Sequence, residues 1–329
     1  MKLGSLKEGG RDGTLVLVSN DLKRIIPIEA IAPTFQRAIE SWVIVEPQLM
    51  DISLKLDDGD IPECRPYDPK VMAAPLPRAY QWLDGSAYVN HVDLVRRARG
   101  AKIPNSFWED PLMYQGGSDN FLGPMDPIYL KDEGWGLDFE AELAVIVDDV
   151  PLGVSDEEAA EHIKFLMLLN DISLRNLIPS ELEKGFGFVH GKPPTSFSPV
   201  AVTVNSLGEY WRDGKLNLPL FVHFNKKKVG WVNAEIDMTF DFSRLVSHAA
   251  KTRPLGAGTI IGSGTVSNAD QQHGYSCIAE MRMIEIIENG EATTPFMKFE
   301  DRIELDVQDS KGQSIFGVID QIVKPYRTN

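Results

Sequence analysis

The chain has 329 residues, of which 43% are hydrophobic and 25% are charged, the composition of a globular protein with a large core. Its 48 acidic residues outnumber 33 lysines and arginines, and the net charge of −15 argues against nucleic acid as a partner. Neither a signal-peptide core nor an apolar run of membrane-spanning length is visible, so we expect a cytoplasmic protein with no membrane partner.

The first 70 residues have the pattern of a small α/β unit. Residues 14–18 read as a strand, and 34–49 have helical periodicity. Five prolines then fall between residues 62 and 77, which neither a helix nor a central strand accepts. We therefore predict an N-terminal α/β domain over 1–70, a linker, and a catalytic domain over 71–329.

The remainder is rich in strand patterns and predicts an α+β, β-rich fold. Strand-like segments are 199–204, 219–224, 257–262, 278–287 and 314–323. Ser155 and Glu158 form a capping-box signature for a helix that we predict to run through about Leu168. The three lysines 226–228 lie between two strand-like segments and predict a solvated hairpin turn.

Acidic residues stand at three places where a lone carboxylate would be costly: Asp84, the pair Glu140 and Glu142, and Asp171. On a strand, Glu140 and Glu142 would leave the same face roughly 7 Å apart. Asp171 follows the apolar run 165–170, where an unpaired carboxylate needs a positive partner. Because such carboxylates need a cation or open water, we predict a site for a hard divalent ion, Mg²⁺ or Ca²⁺, with Mn²⁺ also compatible.

Two ordinary interpretations of these acids stay open from the residues alone. The alternation over 137–143 also suits the wet face of a half-exposed strand. Asp171 would also suit a turn cap or an ion pair with Arg175, four residues later. Against the first, the acids run into apolar residues 143–147, which are typical of a strand covered on both faces.

His91 would supply a base. If residues 86–99 form a helix, His91 and the flanking Asp84 share a face roughly 10 Å apart, a gap that fits a small substrate. A single helical histidine is more often packed or exposed than catalytic, and spacing does not choose among the six histidines of the chain. The two cysteines, Cys64 and Cys277, have no metal-ligand spacing and are expected to be reduced thiols.

Six ordered segments resemble motifs of the fumarylacetoacetate hydrolase family: 84–91, 139–142, 170–175, 191–192, 264–267 and 275–280. The resemblance covers about residues 80 to 285. It implies a mixed β-sandwich roll with a small N-terminal domain, and a homodimer. It also implies a divalent metal held by an Asp, a Glu-x-Glu pair and a second Asp, and these fall on Asp84, Glu140, Glu142 and Asp171.

The resemblance further implies roles that spacing cannot give. His91 matches the water-activating base and Glu280 the carboxylate that orients it. Arg175 and Lys192 match positions that stabilise an oxyanion, although a solvated surface lysine is the ordinary alternative for Lys192. Substrate contacts would come from Thr265, Tyr114 and Ser86. An amphipathic aromatic at a domain edge is the alternative for Tyr114.

Some positions depart from the fumarylacetoacetase pattern. Ile178 replaces a glutamine of the oxyanion hole, Ser86 replaces a tyrosine, Asn176 replaces an acid, and one extra residue separates Thr265 from Glu280. The leading expectation is hydrolysis of a carbon–carbon bond in a small anionic β-diketo acid, with fumarylacetoacetate giving fumarate and acetoacetate in tyrosine breakdown. Alternatives are acylpyruvate hydrolysis, oxaloacetate decarboxylation, keto-acid hydration or isomerisation, and a non-catalytic, metal-stabilised binding protein.

Overall fold

The computed structural model describes residues 1–97, 100 and 102–327. Its α-helices are α1 Phe35–Glu40, α2 Trp42–Asp58, α3 Val89–Arg97, α4 Asp156–His162, α5 Ile178–Leu182, α6 Phe242–Ala249 and α7 Ile278–Asn289. None of the described helices is long and apolar enough to cross a membrane.

Strands outnumber helices, as the sequence predicts. They are β1 Lys2–Leu6, β2 Thr14–Val18, β3 Arg24–Pro27, β4 Arg65–Pro66, β5 Trp82–Gly85, β6 Met113–Gln115, β7 Ile128–Leu130, β8 Leu137–Asp138, β9 Ala141–Val147, β10 Ile163–Asn170, β11 Ser173–Leu174, β12 Ser196–Phe197, β13 Ala201–Thr203, β14 Trp211–Arg212, β15 Lys215–Leu216, β16 Pro219–Phe224, β17 Lys227–Asn233, β18 Ile260–Gly262, β19 Arg302–Val307 and β20 Ile319–Pro325.

A large mixed sheet organises the molecule. Its strand order is β4-β3-β2-β1-β13-β10-β9-β18-β5-β6, with β12 also paired to β10. Neighbours are antiparallel except β18 and β5, which run parallel. A second sheet has the order β17-β16-β19-β20-β7, and two short ladders join β11 to β8 and β14 to β15.

The central strands β9 and β10 are buried on both faces. Along β9, Leu143 and Val145 enter the larger apolar core, whereas Ala144 and Ile146 enter the second core beneath α1 and α2. This alternation follows from the two-residue period of a strand. It explains why residues 143–147 form a continuous apolar run, and it overturns the wet-face interpretation of the acids that precede them.

The N-terminal strands extend the large sheet, because β1 pairs antiparallel with both β2 and β13. The predicted strand over 14–18 and helical segment over 34–49 are present, the latter divided into α1 and α2 at Ser41. The division of the chain at residue 70 stays a prediction.

Two predicted elements differ from the structure in type or length. Residues 278–287 form helix α7 rather than a strand, because the Cys277 side chain and the Asp138 carboxylate cap the first turn. The capping box at Ser155 is present, but α4 ends at His162 and β10 begins at once. The Leu- and Met-rich run has no strong intrinsic strand preference, and its pairing with β9 and β13 decides for sheet over a longer helix.

The predicted helix over 86–99 is α3, which begins at Val89; Ala98 and Arg99 lie outside the described residues. Asp84 therefore lies on strand β5 and does not share a helical face with His91, so that geometric argument was wrong. Lys226 lies in the turn between β16 and β17, while Lys227 and Lys228 begin β17, and all three are exposed.

One buried charge in the fold gives a pH-dependent prediction. Lys2 on β1 is 5% exposed, and burial lowers its pKa from 10.5 to about 8 despite the nearby carboxylates of Asp57 and Asp306. Lys2→Met should therefore raise the free energy of unfolding near pH 7 by about 1–3 kcal/mol, as measured by urea denaturation.

The advantage of Lys2→Met should shrink as the pH rises from about 8 towards 10.5, because the folded wild type loses the proton there while the unfolded chain keeps it. Lys23→Met, at a mostly exposed side chain, is the matched control. A Lys2→Met protein less stable than wild type near pH 7 would show that the ammonium stabilises the fold.

Candidate active site

Three acids meet at one end of the central strands. Asp84 belongs to β5, Glu142 is the second residue of β9, and Asp171 directly follows β10. All three are buried. A carboxylate oxygen from each lies within 4.8 Å of those of the other two.

Gly262 makes this meeting possible. It lies on β18, between β5 and β9, and pairs with Asp84 on one side and Ala144 on the other. A Cβ at this position would stand 2.3 Å from Asp84 Oδ1 and 2.4 Å from the Trp82 ring. Because that atom is missing, the carboxylates of Asp84 and Glu142 can lie close together above β18. The sequence analysis did not identify Gly262, whose only signal was an isolated glycine after an apolar strand.

The three carboxylates are held against their own repulsion. Burial and the Asp171 charge raise the pKa of Asp84 well above its ordinary value. Burial and the Asp84 charge do the same to the pKa of Glu142. Neither oxygen of Glu142 accepts a hydrogen bond from an N–H or hydroxyl group of a described residue, both are inaccessible to solvent, and Asp84 is close enough to share a proton with it.

Glu140 lies beside this cluster and faces cations. Its Oε1 accepts from Arg175 Nη2 at 2.7 Å, and its Oε2 accepts from Lys192 Nζ at 2.5 Å and Ser173 Oγ at 3.2 Å. Burial alone would raise the pKa of Glu140, but the Arg175 and Lys192 charges outweigh it and hold the pKa well below its usual value. The predicted pair thus has two environments: Glu140 faces the cations Arg175 and Lys192, whereas Glu142 faces the acids Asp84 and Asp171.

Lys192 joins the two environments. Its ammonium also donates to Asp171 Oδ2 at 2.5 Å, and the side chain is 9% exposed. Asp171 accepts further bonds from Tyr114 at 2.6 Å and Thr195 at 2.8 Å. The surface-lysine interpretation of Lys192 and the pairing of Asp171 with Arg175 are therefore both wrong.

Asp138 is a buried site residue that sequence reasoning missed. Its Oδ2 accepts from Arg175 Nε at 2.8 Å and from the Ala279 N–H at 2.9 Å, and its Oδ1 accepts from the Ile278 N–H at 2.8 Å. Asp138 thereby ties Arg175 to the N-terminus of α7, where a negative charge is favourable. Its place in the 138, 140, 142 alternation was the available signal.

His91 on α3 and Glu280 on α7 face each other across the two helices. His91 Nδ1 lies 3.8 Å from Glu280 Oε1, beyond hydrogen-bond length, and has no partner among the described residues. Glu280 is fixed by the Ser267 hydroxyl, which accepts from Asn90 Nδ2 at 2.7 Å. A small rotation of the imidazole would close the gap to Glu280.

A cavity of about 510 Å³ connects these groups. Its walls include Asp84, Glu140 and Glu142 on the acidic side, His91 on another, and Ser86, Tyr114, Thr265, Arg175, Lys192 and Ile178. Tyr114 lies on the edge strand β6, but its hydroxyl donates to Asp171, its ring packs against Phe188, and burial raises the pKa of its phenol well above 10. Asp171 and Glu280 do not line the cavity themselves. Asp171 bonds to Tyr114 and Lys192, and Glu280 lies beside His91, and all three of these partners do line it.

The acidic cluster fits a divalent cation. Carboxylates are hard oxygen donors, and ligands on opposite sides of one such ion are about 4–5 Å apart, the spread found here. The unpartnered Glu142 carboxylate is explained if a cation is its partner. A second trio, His91, Cys277 and Glu280, fits less well, because burial raises the pKa of the Cys277 thiol and keeps it protonated.

The chain belongs to the fumarylacetoacetate hydrolase family. The family model described as fumarylacetoacetate hydrolase C-terminal matches residues 81–323, and that of fumarylacetoacetase N-terminal domain 2 matches residues 1–78. The predicted family and the β-rich α+β fold class are confirmed. Members of the family are enzymes and include hydrolases, isomerases and tautomerases.

Individual relatives are distant. The chain is 25% identical over 156 residues to a 2,4-didehydro-3-deoxy-L-rhamnonate hydrolase of Sphingomonas sp., covering 47% of this chain and 53% of that protein. It is 26% identical over 161 residues to a mitochondrial oxaloacetate tautomerase of Xenopus laevis, covering 48% of each. The chain thus spans about half the length of these curated relatives.

A solved structure of similar fold is the maleylpyruvate hydrolase of Sphingobium sp. SYK-6 in complex with manganese(II) and pyruvate. It superposes with a TM-score of 0.65 at 18% identity, covering 99% of this chain and 100% of that one. At this identity the likeness establishes the fold, and the chemistry of the present chain rests on its own residues.

Glu142→Gln tests the cluster through stability as well as binding. Removing one of three buried like charges should leave the metal-free protein as stable as wild type or more stable. The same change should weaken Mg²⁺ or Mn²⁺ binding by at least about tenfold in calorimetry, because a charged ligand is lost. Retention of wild-type metal affinity would remove Glu142 from the ligand set.

Gly262→Ala tests how the sheet places Asp84. The added methyl group should push the Asp84 carboxylate aside and reduce metal-induced thermal stabilisation. Gly256→Ala is the matched control, since a Cβ there meets no atom within 4 Å. Equal metal responses in the two variants would show that Asp84 does not need the space above Gly262.

Proposed function

We propose that this chain hydrolyses a carbon–carbon bond of a β-diketo acid with a divalent cation, Mg²⁺, Ca²⁺ or Mn²⁺, as cofactor. Fumarylacetoacetate, cleaved to fumarate and acetoacetate, is the leading substrate. The observation that carries the proposal is a single cavity lined both by the acidic cluster and by His91. The cluster supplies cation ligands, and the histidine supplies a base with an oriented carboxylate behind it.

Asp84, Glu142 and Asp171 would hold the cation, with Glu140 as a further ligand beside them. When bound, the cation would polarise a keto oxygen of the substrate and favour charge development there. The cation together with Arg175 and Lys192 would offset the negative charge of the carboxylates in a cavity that otherwise repels anions. A small anionic keto acid is thereby drawn into a strongly acidic protein.

His91 would take a proton from water at Nε2, because Nδ1 faces Glu280. Glu280 would stabilise the imidazolium that forms, and Ser267 keeps the carboxylate in place. The hydroxide so produced would attack the substrate carbonyl. The tetrahedral intermediate would then collapse with cleavage of the carbon–carbon bond, and the imidazolium would return the proton to the departing carbon.

Lys192 and Arg175 would stabilise the oxyanion of the tetrahedral intermediate. An ammonium has three N–H donors, and Lys192 uses two on Glu140 and Asp171. Arg175 uses Nε and Nη2 on Asp138 and Glu140, which leaves Nη1. Ile178 on the cavity wall has no donor to add, so stabilisation rests on these two cations.

Tautomerisation of a keto acid such as oxaloacetate is the second candidate. It needs a base that moves one proton but no attack by water. The engagement of Arg175 and Lys192 with buried carboxylates, together with Ile178, favours this candidate, since it requires less oxyanion stabilisation. Acylpyruvate hydrolysis would use the same attack by water, whereas oxaloacetate decarboxylation would lose CO₂ from the keto acid without it.

A substrate panel distinguishes these reactions. Purified protein with each divalent ion should cleave fumarylacetoacetate or an acylpyruvate into two acids, observed as loss of the diketone absorbance and as products by chromatography. Interconversion of oxaloacetate tautomers without cleavage of any diketo acid would favour the second candidate. Metal-dependent stabilisation without any turnover would indicate a binding protein.

His91→Ala should lower kcat by about 10² to 10⁴ while metal-induced stabilisation remains, because general-base catalysis contributes about that much. Glu280→Gln should lower kcat in the same direction. The double variant should be little worse than the worse single variant, since the two residues perform one function.

His223→Ala, on β16 in the second sheet, is the control for loss of an imidazole. Fully additive losses at His91 and Glu280 would exclude a dyad. We also propose a cytoplasmic homodimer, whose stoichiometry light scattering of the purified protein measures directly.

A further inference from the structure

A third cation lines the cavity away from the acidic cluster. Helix α7 presents Ala279, Arg282, Met283 and Ile286 to the cavity. Asp138 binds the N–H of Ala279 at the start of this helix. Arg282 follows three residues later, roughly 4.5 Å further along the helix axis, and so lies further from the capped end.

The guanidinium of Arg282 is held in place without a counter-charge. It stacks over the Phe296 ring at 4.5 Å from the ring centroid, and Nη1 donates to the Thr294 carbonyl. Glu285, the acid one turn later, is occupied instead by the Thr293 and Thr294 N–H groups at 2.6 and 2.9 Å. Within the described part of the chain, Arg282 forms no salt bridge.

Arg282 differs in this respect from the other two cations of the wall. Arg175 and Lys192 are each paired with two carboxylates, whereas Arg282 keeps most of its five N–H donors. Phe296 contacts the guanidinium, and Val95, Leu182, Met283 and Ile286 are further apolar residues of the same cavity wall. Low polarity strengthens a hydrogen bond between a guanidinium and an anion.

We propose that Arg282 binds a carboxylate at the far end of the substrate's acyl arm, so that the enzyme selects β-diketo acids that carry a second negative charge. The inference rests on the proposed function, since it assigns one end of the diketo acid to the cation site and the other to Arg282. Fumarylacetoacetate has such a second carboxylate. A substrate with a neutral alkyl arm would leave the guanidinium unpaired among apolar side chains.

Two acylpyruvates of equal chain length test this selectivity. Succinylpyruvate ends in a carboxylate where butanoylpyruvate ends in a methyl group. Wild type should prefer succinylpyruvate in kcat/KM by about 10- to 100-fold, the effect of one charge-assisted hydrogen bond. In Arg282→Met the preference should fall to within about threefold, with butanoylpyruvate turnover little changed.

Arg282→Lys should keep part of the preference, because it keeps the charge without the planar fork. Arg253→Met, at an exposed arginine outside the cavity wall, is the control. Thermal melting of each variant shows whether it is folded. An undiminished preference for succinylpyruvate in folded Arg282→Met would overturn the proposal.

Absence of turnover with both compounds in wild type would exclude these acylpyruvates as substrates, and failure with fumarylacetoacetate as well would contradict the proposed function; in either case Arg282 is tested by binding. Calorimetry would then compare pimelate with heptanoate, which differ by the same exchange of carboxylate for methyl. If Arg282→Met weakens the binding of pimelate by about tenfold and leaves the binding of heptanoate unchanged, the anion site is supported. Equal pimelate affinity in wild type and Arg282→Met overturns it.

Discussion

The burial of like charges at one end of the large sheet is the constraint on which this site depends. Five carboxylates, Asp84, Asp138, Glu140, Glu142 and Asp171, lie there, and within the described residues two cationic side chains bond to them, Arg175 and Lys192. Arg175 neutralises the pair beside α7, and Lys192 joins Glu140 to Asp171. The remaining negative charge falls on Asp84 and Glu142, where a divalent cation has its place.

The large sheet can hold this charge because its central strands are covered by apolar side chains on both faces. β9 and β10 bury apolar side chains on both faces, and the acids stand only where these strands end. Because Gly262 on β18 has no side chain, the carboxylates of Asp84 on β5 and Glu142 on β9 can approach each other across it. Asp138 connects the same cluster to α7, and α7 in turn carries Glu280 and Arg282. The cation site, the base and the outer wall of the cavity are therefore parts of one packed unit.

The sequence predicted the parts of the site that local patterns and ordered motifs carry. The apolar run before Asp171 and the alternation around Glu140 indicated buried acids, and the motif order indicated the family. The contacts of Lys192 and the separation of Glu140 from Glu142 could not be predicted, because they depend on residues distant in the chain. Residues 278–287 misled the strand prediction, since their isoleucines suggested a strand while the caps at Cys277 and Asp138, which begin the helix, involve a residue distant in the chain. Gly262 and Asp138 had weak local signals, but their roles depend on cross-strand and helix-end contacts with residues distant in the chain.

The central claim is that Asp84, Glu142 and Asp171 hold one divalent cation in the cavity that His91 lines. Anomalous diffraction from crystals soaked in Mn²⁺ locates such an ion directly. The account predicts one strong peak among these three carboxylates, about 2.0–2.4 Å from an oxygen of each, with Glu142 no longer without a partner. Crystals that bind manganese only elsewhere, or that show no peak at this cluster, would contradict it.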